Sequence, residues 1–143
     1  MNINFKNISI GSLLGGIVLF LTGFLCYGVL CADFMEANSG SATGVMKETP
    51  ALWMIFLGNL TMAMLLTYIF DRWAGIKTFV TGAKAGAIIG LLIAVSYGLI
   101  TMATTNIMTF EGILCDWCCS TLMTALAGGV IGWALGKWGD SKT

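Results

Sequence analysis

Long uncharged, continuously apolar stretches alternate along the chain with short polar ones, and four of them are long enough to matter. They run from about residue 8 to 30, 51 to 70, 79 to 102 and 117 to 135. A bilayer core about 30 Å thick takes roughly 20 helical residues at a rise of 1.5 Å each, so every stretch predicts one spanning helix. None alternates residue by residue, as a lipid-facing barrel strand would. The second stops at Asp71-Arg72, and the third carries Lys84 near its start, where the stem can lift the ammonium to the boundary. The first is too long for the apolar core of a signal peptide. Leu30 stands before Cys31 where a lipoprotein signal has a small residue, so this stretch is expected to stay in the mature protein. The expected fold is all-α, an integral membrane four-helix bundle forming a single domain over residues 1–143.

Basic residues orient such a bundle. Lys6, Arg72, Lys77, Lys84, Lys137 and Lys142 fall on one side of the expected membrane, and only Lys47 falls on the other. Both termini are therefore expected in the cytoplasm, with the bacterial plasma membrane as the location. The opposite side is acidic, with Asp33, Glu36, Glu48, Glu111 and Asp116. Trp53 and Trp117 are expected at the outer boundary and Trp73, Trp133 and Trp138 at the inner one, where indole favours the interface.

Composition agrees with a lipid solvent. Hydrophobic residues make up 57 % and charged residues 10 %, against about 45–50 % and about 25 % in soluble domains. A formal net charge of zero gives no electrostatic reason for nucleic-acid binding. The chain has no histidine, which excludes a Ser-His-Asp triad, a Cys-His pair and the common His-containing zinc sites. No catalytic constellation and no cofactor are expected; the bilayer itself and a second copy or another membrane protein are the expected partners.

Lipid tails are as apolar as leucine, so helices in a membrane associate through close backbone approach and interhelical hydrogen bonds. Gly82, Gly86 and Gly90 recur every fourth residue in the third stretch, and Gly128, Gly132 and Gly136 do so in the fourth; Gly11 and Gly15 form a shorter row in the first. Residues four apart share a helix face, so each row predicts a smooth contact surface, either between the third and fourth helices or in a dimer. Asn59, Ser96 and Thr124 are the polar groups within the stretches, and the Asn59 amide is expected to turn into the bundle for a partner. No charge lies at mid-membrane, which argues against an ion-coupled pump. Cys26-Tyr27-Gly28-Val29-Leu30 resembles Ser96-Tyr97-Gly98-Leu99-Ile100, an internal similarity that would make the chain two parallel helical hairpins.

All five cysteines fall near one face: Cys26 and Cys31 close the first stretch, and Cys115, Cys118 and Cys119 open the fourth. Cβ atoms three residues apart on a helix are about 5–6 Å apart, too far for an unstrained bridge between Cys115 and Cys118. Cys31 with one of the later three is the better disulfide candidate. Met35, Met54, Met102 and Met108 lie towards the same face, and thiolate with thioether suits a soft ion such as Cu(I). Apolar packing of small thiols and flexible thioethers is the first reading of the cluster, so the expected function is that of a structural, accessory or partner-binding membrane protein, with a thiol-redox or soft-metal site as the alternative. The polar segment from Asn38 to Thr49 before Pro50 holds no cysteine and is either a connector or a mobile lid. The acidic residues of this face either bind a cation together or stand solvated.

The strings Gly23-Phe24-Leu25-Cys26-Tyr27-Gly28-Val29-Leu30 with Asp33-Phe34, Gly82-Ala83-Lys84-Ala85-Gly86, and Gly128-Gly129-Val130-Ile131-Gly132-Trp133 carry a resemblance. Over residues 15 to 137 the chain resembles small bacterial four-span membrane proteins grouped as a domain of unknown function. The resemblance implies a four-helix membrane fold and supplies no activity.

Overall fold

The computed structural model describes residues 4–47 and 49–139, so Glu48 and Lys142 of the charge pattern lie outside the described residues. Four helices are long and apolar enough to cross a membrane: α1 (Phe5–Leu25, continued by a π-helical turn Cys26–Leu30), α3 (Leu52–Ile69, continued by a π-helical turn Phe70–Ala74), α4 (Phe79–Thr104) and α5 (Phe110–Trp138). A short α2 (Ala32–Ala37) follows α1. α1 and α5 begin earlier than the charge-free stretches because capping, not charge, starts a helix. Asn4 Oδ1 accepts from the Asn7 N–H at 3.2 Å, and Thr109 Oγ1 accepts from the Gly112 N–H at 3.2 Å. Glu111 then sits in the first turn of α5, where the helix dipole favours a carboxylate.

The core belongs to three helices. Leu19 of α1, Ala63 and Leu66 of α3 with Phe70 beyond it, and Ala127, Ile131 and Leu135 of α5 form one buried cluster. α4 lies outside that cluster and packs along α5. Gly82, Gly86 and Gly90 point at Gly128 and Thr124, so closely that a Cβ on Gly82 or Gly86 would strike the backbone carbonyl oxygen of Gly128 or Thr124. Gly132 and Gly136 instead approach the backbone of Thr78 and Lys77, in the connection leading into α4. The contact extends past the glycine triplet through buried Ala94 and Gly98, the latter against Ile113 and Trp117. Trp117 is thus half-buried between α4 and α5. Its five-membered ring, Nε1 foremost, fills the space that the missing Gly98 side chain leaves.

Two hairpins result, α1 with α3 and α4 with α5, joined where α1 packs on α5. They differ at their ends, since the π-helical turns interrupt only the first hairpin. The outward surface is mostly apolar, with Leu21, Phe24, Leu57, Ile88, Leu92 and Ile100 all exposed. A surface of that kind is what a hydrocarbon solvent covers, and far exceeds the patches water-soluble monomers carry.

The two connections at the cysteine-bearing end are tied together. The Gly40 N–H donates to Ile107 O at 2.8 Å, the Thr109 N–H to Asn38 O at 2.9 Å, and Thr109 Oγ1 bonds Asn38 Oδ1 at 2.8 Å. A Cβ on Gly40 would strike Asn106 O, which is why glycine stands there. The first part of the polar segment is therefore fastened, which a lid free along its whole length would not be. At the opposite end Asn7 Nδ2 donates to Asp71 Oδ1 at 2.8 Å, both side chains being buried. Trp133 and Trp138 meet edge to face there, with the Lys137 ammonium 5.1 and 5.3 Å from their ring centroids.

Candidate functional site

Cysteine side chains from two helices converge at the end of α1 and the start of α5. On α5, Cys115 and Cys119 are four residues apart and share the face turned to α1. On α1 the wide π-helical turn closes with the Cys31 N–H donating to Cys26 O at 2.8 Å, which holds Cys31 at the helix end. The Sγ atoms of Cys31, Cys115 and Cys119 all lie within 4.8 Å of one another, and the Cys31 and Cys119 sulfurs are 3.7 Å apart. All five cysteines carry free thiols. Cys26 is buried and Cys118 exposed, and neither belongs to the converging group. Cys115 and Cys118 form no bridge, and the residue that joins Cys115 in the group is Cys119.

Beside the thiols stands a second polar contact between the same helices. Tyr27 O–H donates to Asp116 Oδ1 at 2.7 Å and lies 3.3 Å from Ser120 Oγ. Asp116 and Ser120 each follow a thiol of the cluster, so one turn and a half of α5 presents thiol, carboxylate, thiol and hydroxyl in sequence to α1. Asp116 was expected either to share a cation with the other acids of this face or to stand solvated, and Tyr27 was not singled out as its partner. The signal was present in the four-residue spacing shared by Cys115 with Cys119 and Asp116 with Ser120. It was hidden by starting the helix at residue 117. Asp33, Glu36 and Glu111 are exposed, and among the described residues the carboxylates form no cluster of three. Met54 and Met102 are exposed on the outside of their helices, and Met108 packs at Gly112.

A cavity of about 430 Å³ opens between the adjoining halves of α1 and α3, walled by Phe20, Phe24, Tyr27, Ile55, Asn59 and Met123. Asn59 does not turn into the bundle for another helix: its amide N–H donates to Ile55 O of its own helix at 3.0 Å. Satisfying a donor on the preceding turn is the route Thr22, Thr61, Thr67 and Thr124 also take, each bonding a carbonyl four residues back. Ser96 is exposed on α4. Asn59→Leu is accordingly expected to change stability in detergent by less than about 1 kcal/mol, since no interhelical bond is lost; a denaturant titration in mixed micelles checks it, and a loss above about 2 kcal/mol would mean the amide holds a second helix.

Three thiols on two helices can do what thiols do: coordinate a soft ion, pair as a disulfide, or exchange with one. No protein-family model, curated protein or solved structure matches this chain.

Proposed function

We propose that this chain is a four-span protein of the bacterial plasma membrane, with both termini cytoplasmic, whose working part is a thiol site on the outer face. The observation that carries the reading is the convergence of Cys31, Cys115 and Cys119 from two helices far apart in sequence. Apolar packing needs no such convergence, because a small hydrophobe in a membrane core is satisfied by any apolar neighbour. The basic residues of the termini and of the second connection support the orientation. A purely accessory role through the glycine rows is less well supported, since the backbones of α4, α5 and the Thr78 connection already occupy them. The resemblance to small bacterial four-span proteins is compatible with the reading and adds no chemistry to it.

Two measurements test the proposal. With Cys26, Cys115 and Cys118 changed to serine, a short bifunctional thiol reagent applied to native membranes is expected to bridge Cys31 and Cys119 in most molecules. In a cysteine-free chain, Thr43→Cys is expected to react with an impermeant maleimide on intact cells. Absence of the Cys31–Cys119 bridge defeats the thiol site, and labelling of Thr43→Cys only after lysis defeats the outward orientation.

A further inference from the structure

Resting on the thiol-site reading, we infer that Cys31, Cys115 and Cys119 together bind one Cu(I) ion in a three-sulfur site. Three sulfurs each about 2.3 Å from a central ion in a trigonal plane stand about 4.0 Å from one another. The three sulfurs of this cluster lie within 4.8 Å of one another, with one pair at 3.7 Å, so an ion can be received with shifts below an ångström and no change of backbone.

The donor set selects the ion. It is all sulfur, because the chain has no histidine and the adjacent carboxylate of Asp116 accepts the Tyr27 hydroxyl. All-sulfur sites favour soft ions. The set also stops at three: Cys118 is exposed, and Cys26 lies outside the converging group. Zn(II) takes four ligands in a closed structural site, and among the described residues the fourth protein ligand is missing here. Cu(I) has no need of a fourth. Each thiol that becomes a thiolate ligand releases one proton, and copper stays Cu(I) throughout.

Tyr27, Asp116 and Ser120 give the site its rigidity. Their contacts fix the end of α1 against the first turns of α5 and so keep Cys31 opposite the other two thiols. They are positioning residues.

The test is anaerobic titration of the purified full chain in detergent with Cu(I), supplied as its acetonitrile complex and competed by a coloured Cu(I) chelator. The expected result is one competition-resistant Cu(I) per chain, with thiolate-to-copper charge-transfer absorption in the ultraviolet. Cys31→Ser, Cys115→Ser and Cys119→Ser should each weaken binding by more than about 100-fold, beyond the 10–100-fold that outer partners of a metal ligand carry. Cys26→Ser and Cys118→Ser should bind as the unaltered chain does. No competition-resistant Cu(I) in the unaltered chain overturns the inference, as does equal loss from Cys118→Ser, or uptake of Zn(II) without Cu(I). If the Cys31–Cys119 bridge forms and copper still does not bind, the copper assignment alone falls. If the bridge does not form, the thiol-site reading falls with it.

Discussion

Gly86→Leu is expected to lower the stability of the folded bundle by at least about 3 kcal/mol, the upper end of what overpacking costs. A Cβ at this position would meet the Thr124 carbonyl oxygen and lie 3.1 Å from Gly128 Cα, so backbone and not a yielding side chain stands in the way. Relief requires α4 to move off α5. Because α4 packs on no other long helix extensively, that movement exposes the carbonyl and glycine surface that holds it. Gly58→Leu is the matched control: nothing lies within 4 Å of a Cβ there, so the change should stay within about 0.5 kcal/mol of the parent. Unfolding midpoints in a denaturing-detergent titration check both. Equal midpoints for the two variants would mean that α4 is held by something other than close backbone approach.

The same helix pair marks the limit of what local pattern conveys. A period of four in Gly82, Gly86 and Gly90 is visible to anyone counting along the chain, and so is its continuation at Ala94 and Gly98. The rows even extend to Thr124 and Thr78, each four residues before its first glycine, but which row meets which, and that Gly136 meets Lys77 in the connection, is a tertiary fact that periodicity does not convey. Helix existence was legible for a different reason: twenty apolar residues without a charge have few other solutions in lipid. Helix starts were less so, because Thr109 and Asn4 cap outside the apolar stretches. The π-helical turns were not legible at all. Nothing in Cys26-Tyr27-Gly28-Val29-Leu30 distinguishes it locally from Ser96-Tyr97-Gly98-Leu99-Ile100, yet the first is π-helical and the second continues α4. The difference lies in tertiary setting: Tyr27 reaches Asp116, whereas Tyr97 is exposed.

For the candidate site the cysteines themselves were legible and their grouping only partly so. Cys31 with one of the later three follows from topology alone. That the later partners are Cys115 and Cys119, and not Cys118, follows from helical phase once α5 is known to begin at Phe110. Asp71 was read only as the residue that, with Arg72, ends the second apolar stretch. It is buried, because Asn7, 64 residues earlier, supplies its donor.

That pair supports the second large expectation. Asn7→Leu should cost about 2–3 kcal/mol, because it removes the 2.8 Å donor to Asp71 and leaves a carboxylate that is 7 % exposed short of a partner. The helix cap is not what is lost, since the bond from residue 7 to Asn4 Oδ1 is made by the backbone N–H and survives the substitution. Asp71 belongs to the π-helical turn Phe70–Ala74, whose end is made by Gly75 at φ 61° and by the Ile76 N–H donating to Phe70 O at 3.0 Å. Loosening Asp71 therefore loosens the turn that delivers the chain into α4. Replacing both residues by leucine should recover part of the loss, because an apolar pair needs neither donor nor acceptor, whereas a half-removed polar pair leaves one group unsatisfied. A double-mutant cycle on unfolding midpoints should then give a coupling of about 1 kcal/mol or more. Additive losses would show that Asn7 and Asp71 act separately, and that the N-terminal end of α1 is held to α3 by packing around Phe70 alone.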